Sequence, residues 1–399
     1  MENDQLKYYE IVAREFVISN VAYGPNQTNP YIAKFTGQLK NPDSESAYAT
    51  LEAALKPFKL IPVFRTEGDQ QAIFIVPEVA KPQKTNPRMN LILFILTVIS
   101  VLFTGGLYGL DTALPQDTWQ AVLAILKNGW PFAVSLLAIL GTHEFGHYFM
   151  GKKHGVDVTL PYFIPFPFNS FGTMGAFINM RSIPKNKKQL FDIAVAGPLS
   201  GLIVSIIVLL IGLNLSEVYP LPQVIPAGSG LQMEGNSLLY LLLKYISFGK
   251  LLPQPAGQSG LALLIYWAKY FFTGSPIPLG GQDVMLHPVA WAGWAGLFVT
   301  MLNLIPFGQL DGGHVFQALF GTKNSKRILP FIIAGLVLLG FFWNVWWFWA
   351  VLALLMGRSY AEPLDQITQL DKKRKLIGVV MILVFILTFI PVPITILYG

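Results

Sequence analysis

Long uninterrupted runs of apolar residues are the feature that most restricts what this chain can fold into. Three of them, residues 89–110, 130–150 and 191–213, match the ~20 residues that a helix needs to cross a bilayer. A backbone in lipid must satisfy its own N–H and C=O groups, so such runs predict helices. Only 13% of the residues are charged, against about 25% in soluble proteins. The sequence therefore predicts a polytopic membrane protein.

Further apolar segments raise the predicted number of transmembrane helices to about six to eight, in a membrane domain that is all-α. A fourth span, from 289 to about 320, is interrupted by Asn303, Pro306 and several glycines. Residues 329–356 predict a tight helical hairpin. Residues 376 to about 398 predict a last span.

Three other apolar stretches are shorter than a full span. Residues 119–127 predict an amphipathic segment at the membrane interface, separate from the span that follows. Residues 238–248 and 261–272 are compatible with a hairpin, a re-entrant pair or an external cap, and the sequence leaves these options open.

Residues 1–88 differ in composition from the membrane domain that follows over 89–399, and they predict a small soluble α+β domain with its linker. The predicted elements are a strand, a serine-capped helix and a hairpin with a longer loop, at 31–39, 44–55, and 60–64 with 72–76. This segment holds no histidine and no carboxylate cluster suited to a metal. A regulatory or docking role, with a regulatory partner as one option, is therefore preferred to a catalytic one.

The basic residues lie in short clusters beside the apolar runs, although the formal net charge is +6. Such clusters contact anionic lipid headgroups and mark the cytoplasmic ends of spans, so no nucleic-acid partner is predicted. Lys81, Lys84 and Arg88 precede the first span, and the loop 151–190 ends with further lysines. The N-terminal domain and this loop are therefore expected to face the cytoplasm. The first eighty or so residues show no signal-peptide core, so a cleaved secretory signal is not expected.

A cluster of chemically active residues lies near the end of the second span. His143 and His147 are four positions apart, which places both imidazoles on one helix face, and Glu144 follows the first of them. This spacing allows two histidines to bind Zn²⁺ while the glutamate acts as general base on a metal-bound water. The chain has no cysteine, so a thiolate site is excluded. Charged groups inside a membrane helix are costly unless they have a function.

A catalytic zinc takes three protein ligands, so two histidines leave one position to fill. Asp311 is the only acidic residue between Val284 and Gly357, and it lies in the interrupted fourth span. Broken helices are tolerated at membrane depth where they line an enclosed wet cavity. Asp311 is therefore the expected third ligand, and His314 is expected to support the site rather than bind the metal.

These motifs together resemble those of the site-2 protease family of intramembrane zinc metalloproteases. The resemblance rests on the segments 143–147 and 303–313, with 172–175 and 191–201 as further matches, and it covers roughly 130–320. It implies that His143, His147 and Asp311 bind Zn²⁺ and that Glu144 is general base and then proton donor. It also implies that Asn303 holds the substrate or the oxyanion.

The loop between the second and third spans is too apolar for a free cytoplasmic loop. Residues 161–168 and 172–180 alternate short apolar stretches with glycines, which predicts a re-entrant hairpin against the site. An exposed strand edge offers main-chain hydrogen bonds to an extended substrate. The resemblance supports this role, and the predicted substrate-binding residues are Gly172, Thr173, Met174 and Gly175.

The resemblance also sets expectations for partners and location. It implies that the substrate is a transmembrane protein. Membrane lipids are further expected partners. The α+β head and the lack of a segment resembling a PDZ domain are closest to the branch found in cyanobacteria and chloroplasts. A multi-pass protein of a bacterial inner, thylakoid or chloroplast membrane is expected, with its N-terminus on the cytoplasmic or stromal side.

Other interpretations of the same residues stay open from the sequence alone. The protein as a whole has two: a membrane zinc transporter or metal-binding protein, and an inactive protease-like scaffold. The residues have their own alternatives, which are helix packing for the histidines, helix capping for Asp311 and Asn303, and a lipid-interface role for the loop.

Overall fold

The N-terminal domain of this computed structural model is a four-stranded antiparallel sheet covered by two helices. The structure describes residues 2–24, 31–78, 86–108 and 115–399. The elements of this domain are α1 Glu2–Ala13, β1 Phe16–Tyr23, β2 Ala33–Leu39, α2 Ser44–Leu55, β3 Leu60–Glu67 and β4 Gln70–Pro77. The strand order is β1-β2-β4-β3. Part of the linker, with Lys81 and Lys84, lies outside the described residues.

The predicted strand, helix and hairpin of this domain are confirmed, with two differences in detail. Helix α2 is capped by Asp43, whose carboxylate accepts a hydrogen bond from the backbone N–H of Ser46 at 3.3 Å. The β3–β4 hairpin turns within Gly68 and Asp69, so its loop is shorter than expected. Helix α1 and strand β1 were not predicted from the sequence.

Among the described residues, three helices are long and apolar enough to cross a membrane: α3 Pro87–Tyr108, α4 Thr118–Lys153 and α5 Lys187–Asn214. The other helices of the membrane domain are α6 Leu238–Phe248, α7 Gly260–Thr273, α8 Pro288–Asn303, α9 Asp311–Phe320, α10 Thr322–Gly340, α11 Val345–Met356 and α12 Lys372–Thr388. The expected helical hairpin is formed by α10 and α11. The length and apolarity of the described helices therefore support three spans, fewer than the six to eight predicted.

Helix α4 corrects the prediction of a separate interfacial segment at 119–127. It runs unbroken for 36 residues, with Pro131 inside it. Membrane helices tolerate an internal proline where neighbouring groups satisfy the freed backbone. Gly129, which weakens an isolated helix, packs here against α3, because a Cβ at this position would lie 2.2 Å from the carbonyl oxygen of Leu102. Tertiary packing therefore overrides the local signal for a break.

Short strands make the membrane domain less purely helical than predicted. They form three antiparallel pairs: β5 Tyr162–Pro165 with β6 Thr173–Phe177, β7 Glu217–Pro220 with β9 Gln282–Met285, and β8 Gly230–Glu234 with β10 Ile394–Tyr398. The predicted last span up to 398 was therefore wrong at its end. Pro391 and Pro393 lack backbone N–H donors and end the helix, after which the β-branched residues of 394–396 pair as a strand.

Small residues allow the three helices that surround the site to approach closely. A Cβ at Gly146 on α4 would lie 2.4 Å from the hydroxyl oxygen of Ser200 on α5. A Cβ at Gly293 on α8 would lie within 2.7 Å of Leu209 on α5. Helix α5 is therefore held between α4 and α8, with Trp294 fully buried in the core that they share.

Candidate metal centre

Helix α4 brings its two histidines to the same point in the interior. His143 is 4% exposed and His147 is 7% exposed. Residues four apart on a helix lie on one face, and the Nε2 atoms of the two rings are 3.1 Å apart. The backbone carbonyl of Ile193 accepts a hydrogen bond from Nδ1 of His147 at 2.7 Å. That bond leaves Nε2 of His147 as the nitrogen free to bind a metal.

The break in the fourth apolar segment carries Asp311 to the same point. Helix α8 ends at Asn303, the chain turns through residues 304–310, and α9 begins at Asp311. Two glycines follow Asp311 because the backbone passes very close to the turn. A Cβ at Gly312 would lie 2.0 Å from the carbonyl oxygen of Leu304. The predicted interruption therefore places the start of α9 beside the histidines of α4.

Three ligand atoms converge across these two helices. Oδ2 of Asp311 lies 3.4 Å from Nε2 of His143 and 3.3 Å from Nε2 of His147. Ligands at about 2.0–2.1 Å from a tetrahedral Zn²⁺ are separated from one another by roughly 3.3 Å. The three observed separations are close to this value. The donor set, two imidazoles and one carboxylate, is one that zinc uses in hydrolases, so the residues present fit this metal.

Glycines on α5 make room for the two imidazoles. A Cβ at Gly197 would lie 2.1 Å from Nε2 of His147, and a Cβ at Gly201 would lie 3.1 Å from His143. Residues 191–201 belong to the segments that resemble the family, but no role was predicted for these glycines. Only the packing of α5 against α4 reveals that role, because nothing local to α5 requires glycine there.

A cavity of about 200 Å³ adjoins the three converging side chains. Glu144, which is 6% exposed, lines it, and the backbone N–H of Ile178 interacts with the carboxylate. Asn303 lines it as well, with Nδ2 3.4 Å from Nε2 of His143. All five residues of the predicted catalytic and metal sites, His143, Glu144, His147, Asn303 and Asp311, therefore lie together.

The predicted hairpin exists as β5 and β6, but its two ends have different surroundings. Ala176, Phe177, Ile178 and Met180 line the cavity. The stretch Gly172–Gly175 lies before this wall, and the hydroxyl of Ser100 on α3 donates a hydrogen bond to the carbonyl of Gly172 at 2.6 Å. A substrate-binding role for Gly172, Thr173, Met174 and Gly175 stays a prediction.

Two further histidines have distinct surroundings. His314 is buried on α9 and lines the cavity, and its Nδ1 has no hydrogen-bond partner among the described residues. It does not join the three converging ligands. His154 lies at the end of α4, and its Nε2 lies 2.9 Å from Oδ2 of Asp192. Arg374 at the start of α12 donates to the same carboxylate at 2.6 Å and 2.7 Å, which ties α4, α5 and α12 together.

Comparisons with known proteins place this centre in a family. "Probable zinc metalloprotease EGY2, chloroplastic" of Arabidopsis thaliana is 29% identical over 342 residues, which are 82% of this chain and 56% of the relative. The EGY1 protein of Oryza sativa subsp. japonica, with the same description, is 30% identical over 76% of this chain and 50% of the relative. "Probable zinc metallopeptidase EGY3, chloroplastic" of Arabidopsis thaliana is 28% identical over 69% and 45%.

The chain thus spans about half the length of the curated relatives that it matches. No solved structure matches it. The model of peptidase family M50 matches residues 131–343, a range that begins in α4 and contains both histidines and Asp311. The chain belongs to peptidase family M50.

Proposed function

We propose that the protein is an intramembrane zinc metalloprotease that hydrolyses peptide bonds in or near transmembrane helices of other membrane proteins. The convergence of His143, His147 and Asp311 beside Glu144 carries this proposal. The histidines and Glu144 belong to a helix that is long and apolar enough to cross a membrane. A hydrolytic centre in that setting is suited to substrates that are themselves in the membrane.

Each residue of the centre has a chemical role in this proposal. Zinc, when bound by His143, His147 and Asp311, supplies Lewis acidity that polarises a carbonyl and makes water more acidic. Glu144 takes a proton from the attacking water and passes it to the leaving amine. The amide of Asn303 donates a hydrogen bond to the substrate carbonyl or to the oxyanion that develops on it.

The wall of the cavity supports an extended substrate. A helical peptide bond is shielded by its own hydrogen bonds and side chains, so a substrate helix must unwind before cleavage. The backbone of β6 and of the residues up to Met180 lies beside Glu144 and offers replacement main-chain partners. Regulated intramembrane proteolysis is the class of process that this chemistry serves.

A membrane zinc transporter fits these observations less well. Transport requires ligands spread along a path through the membrane. Over the described residues, one group of three histidine or acidic side chains is close enough together to hold a metal, formed by His143, His147 and Asp311. An inactive scaffold is disfavoured because Glu144 and all three ligands are present.

The relatives also support a proposal on location. Their printed names end in "chloroplastic", and the same fold suits a thylakoid or bacterial inner membrane. The N-terminal domain would face the stroma or cytoplasm, on the side where Lys185 and Lys188 precede and open α5. These two lysines pair with Glu52 and Glu45 of α2. The domain would receive a regulatory partner there.

Substrate trapping tests the proposal. The full chain with Glu144→Gln is expressed in its native membrane and isolated beside the wild type, and copurifying proteins are compared by mass spectrometry. We expect uncut membrane proteins to accumulate on the variant, and their fragments in wild-type membranes to end within or beside a transmembrane helix. Fragments that end only in soluble domains, or the same fragments in variant membranes, would refute the proposal.

A further inference from the structure

A second cavity, of about 540 Å³, lies where the N-terminal domain meets the membrane domain. We call it the junction cavity. Thr66 and Gly68 of the β3–β4 hairpin line one side, and Lys187 at the start of α5 lines another. Gln366, in the loop after α11, and Lys323, at the start of α10, are also among the polar lining residues. A volume of this size is within the range of sites for small molecules, about 300–1,000 Å³.

The start of α10 presents unused hydrogen-bond donors to the junction cavity. The first backbone N–H groups of a helix have no partner within the helix. Gly321 is the residue that caps α10, and it has no side chain to accept from them. Gly321, Thr322 and Lys323 all line the cavity. Helix N-termini of this kind bind phosphate and other anions.

Two lysines add positive charge beside this helix start. Lys187 is half-buried, and it makes no hydrogen bond or ion pair within the part of the chain that the structure describes. Lys323 is exposed at the mouth of the cavity, and it is equally unpaired over the described residues. Glu362 is the carboxylate in the lining. Asp365 lies near enough to influence Lys187, but its oxygens already accept from Ser44 and Thr368.

A buried acceptor in the same cavity lacks a donor. Gln317 on α9 is 6% exposed, and its Nε2 donates to the hydroxyl of Thr322 at 3.1 Å. Its Oε1 has no hydrogen-bond partner among the described residues. A buried carbonyl oxygen left without a donor is unfavourable. A ligand hydroxyl beside the anion-binding helix start would satisfy it.

We propose that the junction cavity binds a phosphate ester whose neighbouring carbon skeleton carries hydroxyl groups. The phosphate would accept from the start of α10 and from Lys187 and Lys323, and a hydroxyl would donate to Oε1 of Gln317. This site goes beyond the proposed function and is separate from the metal centre. The two sites nevertheless share structural elements. Gln317 belongs to the helix that begins with Asp311, and Leu190 lines both cavities.

Calorimetric titration of the full chain tests this site. The protein is purified in a maltoside detergent, which carries no phosphate, and titrated with glycerol 3-phosphate. We expect saturable binding that becomes at least about tenfold weaker in Lys187→Gln and in Lys323→Gln, because charge-assisted hydrogen bonds to phosphate are lost. Lys326→Gln, on the same helix but outside the cavity lining, is the matched control and should bind like the wild type.

The orphaned acceptor has a test of its own. Gln317→Leu should weaken binding of glycerol 3-phosphate several-fold and leave binding of inorganic phosphate unchanged. Equal losses for both probes would overturn the role of Gln317 as acceptor for a hydroxyl. The two lysine variants test the phosphate part of the site independently, should Gln317→Leu fail to fold.

A phosphate ester at this position has two sources, a soluble metabolite or a lipid headgroup. Phosphatidylglycerol in mixed micelles is therefore added as a competitor. Displacement of glycerol 3-phosphate, with the same dependence on Lys187 and Lys323, would support the site and assign it to the headgroup. Binding without displacement would support it and assign it to a soluble ester. No saturable binding of either probe, or an equal loss in Lys326→Gln, would overturn the proposal.

Discussion

Gly197 on α5 lies directly against His147 on α4, so that a Cβ on the glycine would lie 2.1 Å from the Nε2 atom of the imidazole. The backbone carbonyl of Ile193, one turn earlier on α5, accepts from the other nitrogen of the same ring. Helix α5 therefore determines both the position and the tautomer of a proposed zinc ligand, although it contributes no ligand itself.

Adding one methyl group at this contact should displace the ligand. Gly197→Ala is expected to lower zinc affinity about 10–100-fold, the loss typical when support for a metal ligand is disturbed. Zinc is measured in the purified protein by elemental analysis after titration with a chelator. Gly141→Ala, where a Cβ meets nothing within 4 Å, is the matched control on α4. Unchanged zinc affinity in Gly197→Ala would mean that α5 does not determine the ligand position.

Asp311 can be tested separately from its place at the start of α9. Asparagine keeps the shape of the side chain and is equally suited to a helix N-terminus, but it is neutral and a weaker metal ligand. Asp311→Asn should therefore lose zinc affinity by more than the roughly 100-fold expected for a supporting residue, while thermal stability of the zinc-free protein changes little. Retention of wild-type zinc affinity would show that Asp311 only begins the helix.

The N-terminal domain is held to the membrane domain through the fully buried Asp365. Its carboxylate accepts from the hydroxyl of Ser44 at 2.9 Å and from the backbone N–H of Ile367 at 2.7 Å. Hydrogen bonds to charged groups contribute about 1.5–3 kcal/mol each. Asp365→Ala should loosen this docking and raise hydrogen exchange in β3, which pairs with the same loop. Asp69→Ala, in the exposed hairpin turn, is the control, and equal exchange in both variants would contradict the docking role.

Glu234, Asp283 and Lys244 form a buried cluster that should make stability depend on pH. Burial, and then the nearby carboxylate of Asp283, raise the pKa of Glu234 to about 7. A folded pKa above the unfolded value of 4.5 favours the protonated form, so its stabilising contribution is present below pH 4.5 and is lost as pH rises through 7. The melting temperature of the wild type should therefore fall as the pH rises from about 4.5 to about 7 and change less above that.

Glu234→Gln should flatten this profile, because glutamine stays neutral across the range. Glu217→Gln, on the neighbouring strand pair and exposed, should keep the wild-type slope. A wild-type slope in Glu234→Gln would remove Glu234 as its source.

The convergence of His143, His147 and Asp311 was predictable from the sequence because each residue is marked either by its local spacing or by being the only acid in its region. The spacing of His143 and His147 defines one helix face regardless of the rest of the fold. Asp311 is identified by the absence of other acids from a long apolar region. The interruption after Asn303 was visible in the glycines and proline that follow it.

The features that the sequence did not reveal depend on contacts between distant segments. The role of Gly197 exists only against α4, and the unbroken α4 depends on packing of Gly129 against α3. The final strand forms because 394–398 meets β8, a pairing that hydropathy alone cannot distinguish from a membrane helix. The hairpin residues that line the cavity begin at Ala176, just after the predicted substrate-binding stretch Gly172–Gly175.

A paired measurement of zinc content and cleavage tests the central claim most directly. The wild type, Glu144→Gln and His143→Ala are purified, and each is assayed for bound zinc and for cleavage of a transmembrane substrate obtained by trapping. The wild type should bind one zinc and cleave. Glu144→Gln should keep the zinc and lose cleavage by at least about 100-fold, the contribution of a general base, and His143→Ala should lose both. Cleavage by Glu144→Gln at the wild-type rate would contradict the account.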